Sequence, residues 1–139
     1  LRTIETAKGF AMPLLADSPP IAFVATADRV RAEAFYAEVV GLAVLARDGF
    51  ATTFALAGGA TMRLTPSPGH VAHAHTVLGW GVADIVAAVA DLRGKGAAFV
   101  IYEGFGQDAD GIWQAPGDGT KVAWFKDPDD NLLSLTQFA

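Results

Sequence analysis

The chain carries one order of signals twice, and few folds accept that. A β-rich run, IAFVAT at residues 21–26, leads into Asp28; a second, TVLGWGV at 76–82, leads into Asp84. Each aspartate is a predicted N-cap, since its carboxylate accepts from the orphan amides of a first helical turn. Behind Asp28, Ala32, Phe35, Tyr36 and Val39 recur at i, i+3, i+4, i+7 spacing, and Gly41 is placed to end that helix. Behind Asp84, Ile85, Val89 and Leu92 share a face, with Gly94 and Gly96 to close it. The strand candidates LAVLA, ATTFALA and ATMRLT follow the first helix, separated by Asp48-Gly49 and Gly58-Gly59. AAFVIY, KVAWF and NLLSLTQ follow the second. The predicted pattern is βαβββ, twice.

These signals divide the chain into an N-terminal arm at 1–20, a first module at 21–65, a linker at 66–75 and a second module at 76–139. A length of 139 residues suits one compact domain, and 52% hydrophobic residues suffice for its core. The insert EGFGQDADGIWQAPGDG, 103–119, is rich in Gly, Asp and Pro, and a loop of that length predicts a binding lid. No run approaches the roughly 20 apolar residues of a membrane span. GFAMPLLA imitates a signal-peptide core, but Glu5 lies just upstream and basic residues are sparse, so it reads as mature sequence. A first residue of Leu rather than Met suggests that the natural start is missing. The lack of cysteine excludes disulfides and thiolate chemistry and makes the cytoplasm the expected location. A net charge of −5 without a basic cluster argues against nucleic acid.

Two stretches carry a family likeness: DRVRAEAFYAEVVGL at 28–42 and WFKDPDDNLLSLTQ at 124–137. At this separation they resemble the vicinal oxygen chelate superfamily, the glyoxalase/bleomycin resistance protein/dioxygenase group, over about residues 20–138. The resemblance implies an α+β fold in which two paired βαβββ modules form a curled mixed sheet around a concave cavity, helices on the convex side. DPDDN at 127–131 matches a family turn that usually reads DPDGN; Asp130 replaces a glycine and tolerates the left-handed conformation. As a calcium loop the run lacks the glycine turn and the downstream glutamate. Metal-using relatives place one ligand on each of four strands, at positions matching Ile21, Arg63, Val77 and Ser134. Isoleucine and valine offer no donor, and arginine repels a cation. A slip of one, to Ala22, Met62, Leu78 and Leu133, is no better, so no metal cofactor is expected.

Alternation supports the same register. Thr61, Arg63 and Thr65 share one strand face against Met62 and Leu64, as do Ser134 and Thr136 against Leu133 and Leu135. Val77, Gly79 and Gly81 share another, the glycines leaving room. The expected ligand-binding residues are Phe23, Arg63, Val77, Gly79, Phe105, Trp113, Trp124 and Ser134. Arg63 reads as an anion anchor, as an internal ion pair with Glu103 or Asp108, or as a strand end exposed to water. Trp113 and Phe105 read as lid aromatics over a ligand, or as pins of the loop to the body or to a second subunit. Trp80 and Phe125 read as core, Tyr36 as structural. His70, His73 and His75 form the run HxxHxH, which suits a metal or, more plainly, a polar linker. His75 is the candidate for an acid or base at the cavity rim, and no catalytic residue is assigned.

The expectation is a small-molecule binder, for a partly apolar and anionic organic ligand, working without metal as a homodimer. The alternative is an enzyme of the same superfamily, a lyase, isomerase or dioxygenase, with relocated metal ligands or a metal-independent mechanism using Arg63 and a histidine. A third reading is a structural or regulatory subunit with a filled cavity. No Ser/His/Asp triad, phosphate loop or dinucleotide fingerprint is present.

Overall fold

The computed structural model describes residues 14–139, so most of the arm at 1–20 and the start of GFAMPLLA lie outside the described residues. Nine strands and two α-helices, with three short helical turns, lie among the described residues. The first module comprises β1 (Ile21–Thr26), α1 (Arg29–Ala34), β2 (Val44–Arg47), β3 (Thr52–Ala55) and β4 (Thr61–Pro66). The second comprises β5 (Thr76–Gly81), α2 (Ile85–Gly94), β6 (Ala98–Phe99), β7 (Trp113–Gln114), β8 (Lys121–Lys126) and β9 (Leu132–Gln137).

Both N-caps form as the sequence predicts. Asp28 accepts from the Arg31 amide and Asp84 from the Ala87 amide, each at 3.1 Å. α1 does not continue as a plain α-helix. Residues 35–40 widen into a π-helical turn, and the Gly41 amide reaches back to the Tyr36 carbonyl with Gly41 at φ 87°. Glycine ends this wider turn at no Cβ cost.

Each module forms its own mixed sheet. The first orders its strands β1-β4-β3-β2, with β1 and β4 parallel; the second runs β5-β9-β8-β6, with β5 and β9 parallel. The short β7 also pairs with β8. This pairing corrects the reading of 103–119 as loop throughout, and the run AAFVIY contributes only Ala98 and Phe99 to a strand. The edge strands β1 and β5 lie against each other, so the two curled sheets meet side by side. The helices pack on the convex faces, and one apolar core spans both modules, from Tyr36, Phe54 and Met62 to Val89, Phe125 and Leu135. Phe125 lies within it, as expected, and the half-buried Trp80 stacks on it from the margin at 6.3 Å. On the convex face Arg47 donates to Glu33 at 2.8 Å and holds that carboxyl below its ordinary range.

The acidic turn at 127–131 joins the halves. Asp127, 3% exposed, accepts from the Asp129 and Asn131 amides through Oδ1 and from the Tyr36 hydroxyl and Asn131 Nδ2 through Oδ2. Asp129 accepts from the Thr26 hydroxyl at 2.6 Å and the Ala27 amide at 2.8 Å. Asn131 donates to the Ala25 carbonyl, and Arg31 reaches the Pro128 carbonyl. His70 shares a 2.8 Å bond with Asn131 Oδ1, which pins the linker onto the same turn. Asp130 takes φ 66°, as expected of a residue standing where glycine is usual. The turn is an intramolecular latch.

Candidate functional site

Pairing registers set the side chains of the concave face. Across the first sheet Phe23, Arg63 and Thr53 lie side by side; across the second, Gly79, Ser134 and Trp124 do. One row further, Gly81, Thr136, Val122 and Trp113 line up. The expected residues Phe23, Arg63, Gly79, Ser134, Trp113 and Trp124 therefore share the concave side of their sheets. Phe105 joins them from the insert, its ring 5.4 Å from that of Trp113 and 5.6 Å from that of Trp124.

Val77 departs from this set. A bulge between Thr76 and Leu78 interrupts the alternation, and Val77 packs against the core. The space expected over Gly79 is also taken. A Cβ built there collides with the Ser134 hydroxyl, so the glycine permits a close approach rather than an opening.

Arg63 has a partner within the protein, but it is neither Glu103 nor Asp108. It donates to the Thr53 hydroxyl at 3.3 Å and lies 3.8 Å from Asp48 Oδ2. Asp48 is itself held in the β2–β3 turn by the Phe50 and Ala51 amides, and these bonds, then Arg63, keep its carboxyl below the ordinary range. At this exposure such a pair is weak and screened by salt.

The insert is more firmly built than its composition predicts. Gln107 accepts from the Tyr102 amide and donates to the carbonyls of Val100 and Gly111, while Asp108 caps the amides of Asp110 and Ile112. Ile112 is buried. This scaffold presents four aromatic rings, Tyr102, Phe105, Trp113 and Trp124, with neighbouring centroids 5.4–6.3 Å apart. They form an aromatic wall on the concave face, with Phe105 and Tyr102 still exposed. Sequence reasoning missed Tyr102, whose signal was its place just ahead of the insert.

The family's metal is tested by the side chains themselves. Ile21, Arg63, Val77 and Ser134 present one neutral hydroxyl and a cation, which do not fit a divalent ion. The histidines do not substitute. His70 is bonded to Asn131, and His73 and His75 stack on each other at 6.1 Å on the linker. Among the described residues no group of three or more His, Asp or Glu side chains is placed to share a metal. No helix among them is long and apolar enough to cross a membrane.

No protein-family model and no curated protein matches the chain by sequence. Solved structures do match by shape. A glyoxalase/bleomycin resistance protein from Streptomyces sp. CB03234 is 26% identical with TM-score 0.62, covering 86% of this chain and 100% of that one. TnmS3, an antibiotic binding protein from the same organism, is 24% identical with TM-score 0.67, covering 91% and 100%. A superfamily member from Sphaerobacter thermophilus DSM 20745 is 20% identical with TM-score 0.68, covering 89% and 99%. Topology, curled sheets and these neighbours agree: the chain has the fold of the glyoxalase/bleomycin resistance protein/dioxygenase superfamily, the vicinal oxygen chelate group that its sequence resembles.

Proposed function

We propose that the protein binds a small, partly apolar, planar organic molecule on its concave face, without a metal. The observation that carries this reading is the aromatic wall of Tyr102, Phe105, Trp113 and Trp124, packed ring to ring outside the core. Accessible aromatics held by a hydrogen-bonded scaffold favour stacking on a flat ligand at little ordering cost. A neighbour whose name records antibiotic binding supports the same class of role. In a titration with anthracene-2-carboxamide, tryptophan emission is expected to quench saturably at one probe per chain, unchanged by EDTA. Trp113→Phe is expected to weaken the quench. Linear, unsaturable quenching, or identical curves for both proteins, would remove the reading.

The same face supports a homodimer. Ile21 and Phe23 stand on it in the first module, and Phe23 is 66% exposed. An apolar edge of this kind is usually covered by protein or ligand. Sedimentation velocity is expected to give a dimer, and Phe23→Glu a monomer. A wild-type monomer at tens of micromolar would sink this part alone.

A further inference from the structure

Neither the aromatic wall nor the four family positions accounts for a crevice between the linker and the β8–β9 turn. It holds about 380 Å³ and is bordered by His73, Tyr102, Lys126, Asp130 and Leu132. Lys126 is the last residue of β8, paired with Leu132 on one side and Ala98 on the other. It therefore shares the concave face with Trp124, two residues away along the strand. Tyr102 belongs to both places, packing edge-on to Trp124 at 5.8 Å while bordering the crevice. Wall and crevice are continuous.

The charges differ from those around Arg63. Arg63 lies against Asp48, whereas Lys126 makes no ion pair among the described residues. The linker wall is fixed by the His70–Asn131 bond and by the Ser67 amide donating to the Thr26 carbonyl at 2.8 Å. An exposed cation beside an aromatic surface, against a fixed wall, is suited to an acid group carried on a ring. We propose that this crevice is the polar end of the ligand site, where Lys126 takes a carboxylate or similar singly charged acid of a molecule whose rings lie on the aromatic wall. The inference rests on the wall as the binding surface. Asp130, on the same rim, disfavours a dianion and accepts from a neighbouring hydroxyl or amine on the ligand. His73 adds an imidazole from the linker side.

The test compares anthracene-2-carboxylate with anthracene-2-carboxamide on the full chain, read by tryptophan quenching. Wild type is expected to hold the acid about tenfold more tightly than the amide, the scale of one charge-assisted contact. Lys126→Met should erase that preference, Lys126→Arg should keep it, and Asp130→Asn should strengthen the acid roughly two- to fivefold. Equal affinity for both probes in wild type overturns the acid subsite and leaves the aromatic wall standing. If Arg63→Met erases the preference while Lys126→Met keeps it, the anchor is Arg63 and this inference is wrong. Failure of both probes to bind removes the wall and the subsite together.

Discussion

Asp127→Ala is expected to lower the melting temperature by about 10–20 °C, the largest effect of any substitution outside the apolar core. The Asp127 carboxylate serves four donors: two amides of its own turn, Asn131 Nδ2 and the Tyr36 hydroxyl, the last at 2.6 Å. Alanine leaves those donors without an acceptor, three of the four bonds being buried, and each unsatisfied buried group costs about 1–3 kcal/mol. The losses overlap, so a total of about 3–5 kcal/mol is the reasonable scale. Near 140 residues each kilocalorie moves the midpoint by roughly 3–5 °C. Tyr36→Phe removes one donor and is expected to cost about 1–2 kcal/mol. The double variant is expected to be less damaging than the sum, because both single changes break the same Tyr36–Asp127 bond. Calorimetry on the four proteins decides. Strict additivity, or a shift under 3 °C for Asp127→Ala, would mean that water replaces the carboxylate. Burial, then the neighbouring Asp127 charge, pushes the Tyr36 hydroxyl far above its ordinary range. In the unfolded chain that hydroxyl ionises near pH 10, so this group's stabilising effect is whole below that pH. It declines above, by about 1.4 kcal/mol per pH unit.

The second large effect belongs to the aromatic wall. Replacing both Trp113 and Trp124 by alanine is expected to weaken a planar aromatic ligand at least a hundredfold. Each ring contributes stacking on the order of 1–3 kcal/mol by alanine substitution, and 1.4 kcal/mol is tenfold in affinity. The single changes are expected to fall between about fivefold and a hundredfold and not to add, since the two indoles touch each other at 6.3 Å and share Phe105. Thermal melts serve as the control, because Trp124 also lies beside Ser134 in the middle of the second sheet. Isothermal titration with anthracene-2-carboxamide reads the result. A loss under threefold in the double variant, with the fold intact, would place the ligand elsewhere.

The fold was legible because its signals are local. Asp28 and Asp84 announce caps, Gly41 announces a helix end, and strand alternation at 61–65 and 133–136 assigns faces two residues at a time. What escaped depends on partners distant in sequence. Nothing in KDPDDN says that Asp127 meets Tyr36, 91 positions away, or that Asp129 meets Thr26, 103 away. The Asp48 contact with Arg63 is of the same kind, because a hairpin turn brings together residues whose spacing carries no period. A bulge is invisible to alternation, and so Val77 was assigned to the wrong face. Trp113 was found by composition alone, an isolated indole among glycines. Its register with Val122 emerges only once β7 pairs with β8.

The separation between Tyr36 and Asp127 also sets an order of events during synthesis. A ribosome adds about 5–20 residues per second. Between the emergence of the tyrosine and that of its acceptor lie 91 residues, or about 5–20 s. Once β4 has followed, the first module has its helix cap and its β1–β4 pairing, yet no acceptor for a hydroxyl that ends up buried. The nascent half is thus expected to stay loosely packed and dependent on holding factors until the last turn is made. Its tight packing is expected to come late, with the arrival of KDPDDN.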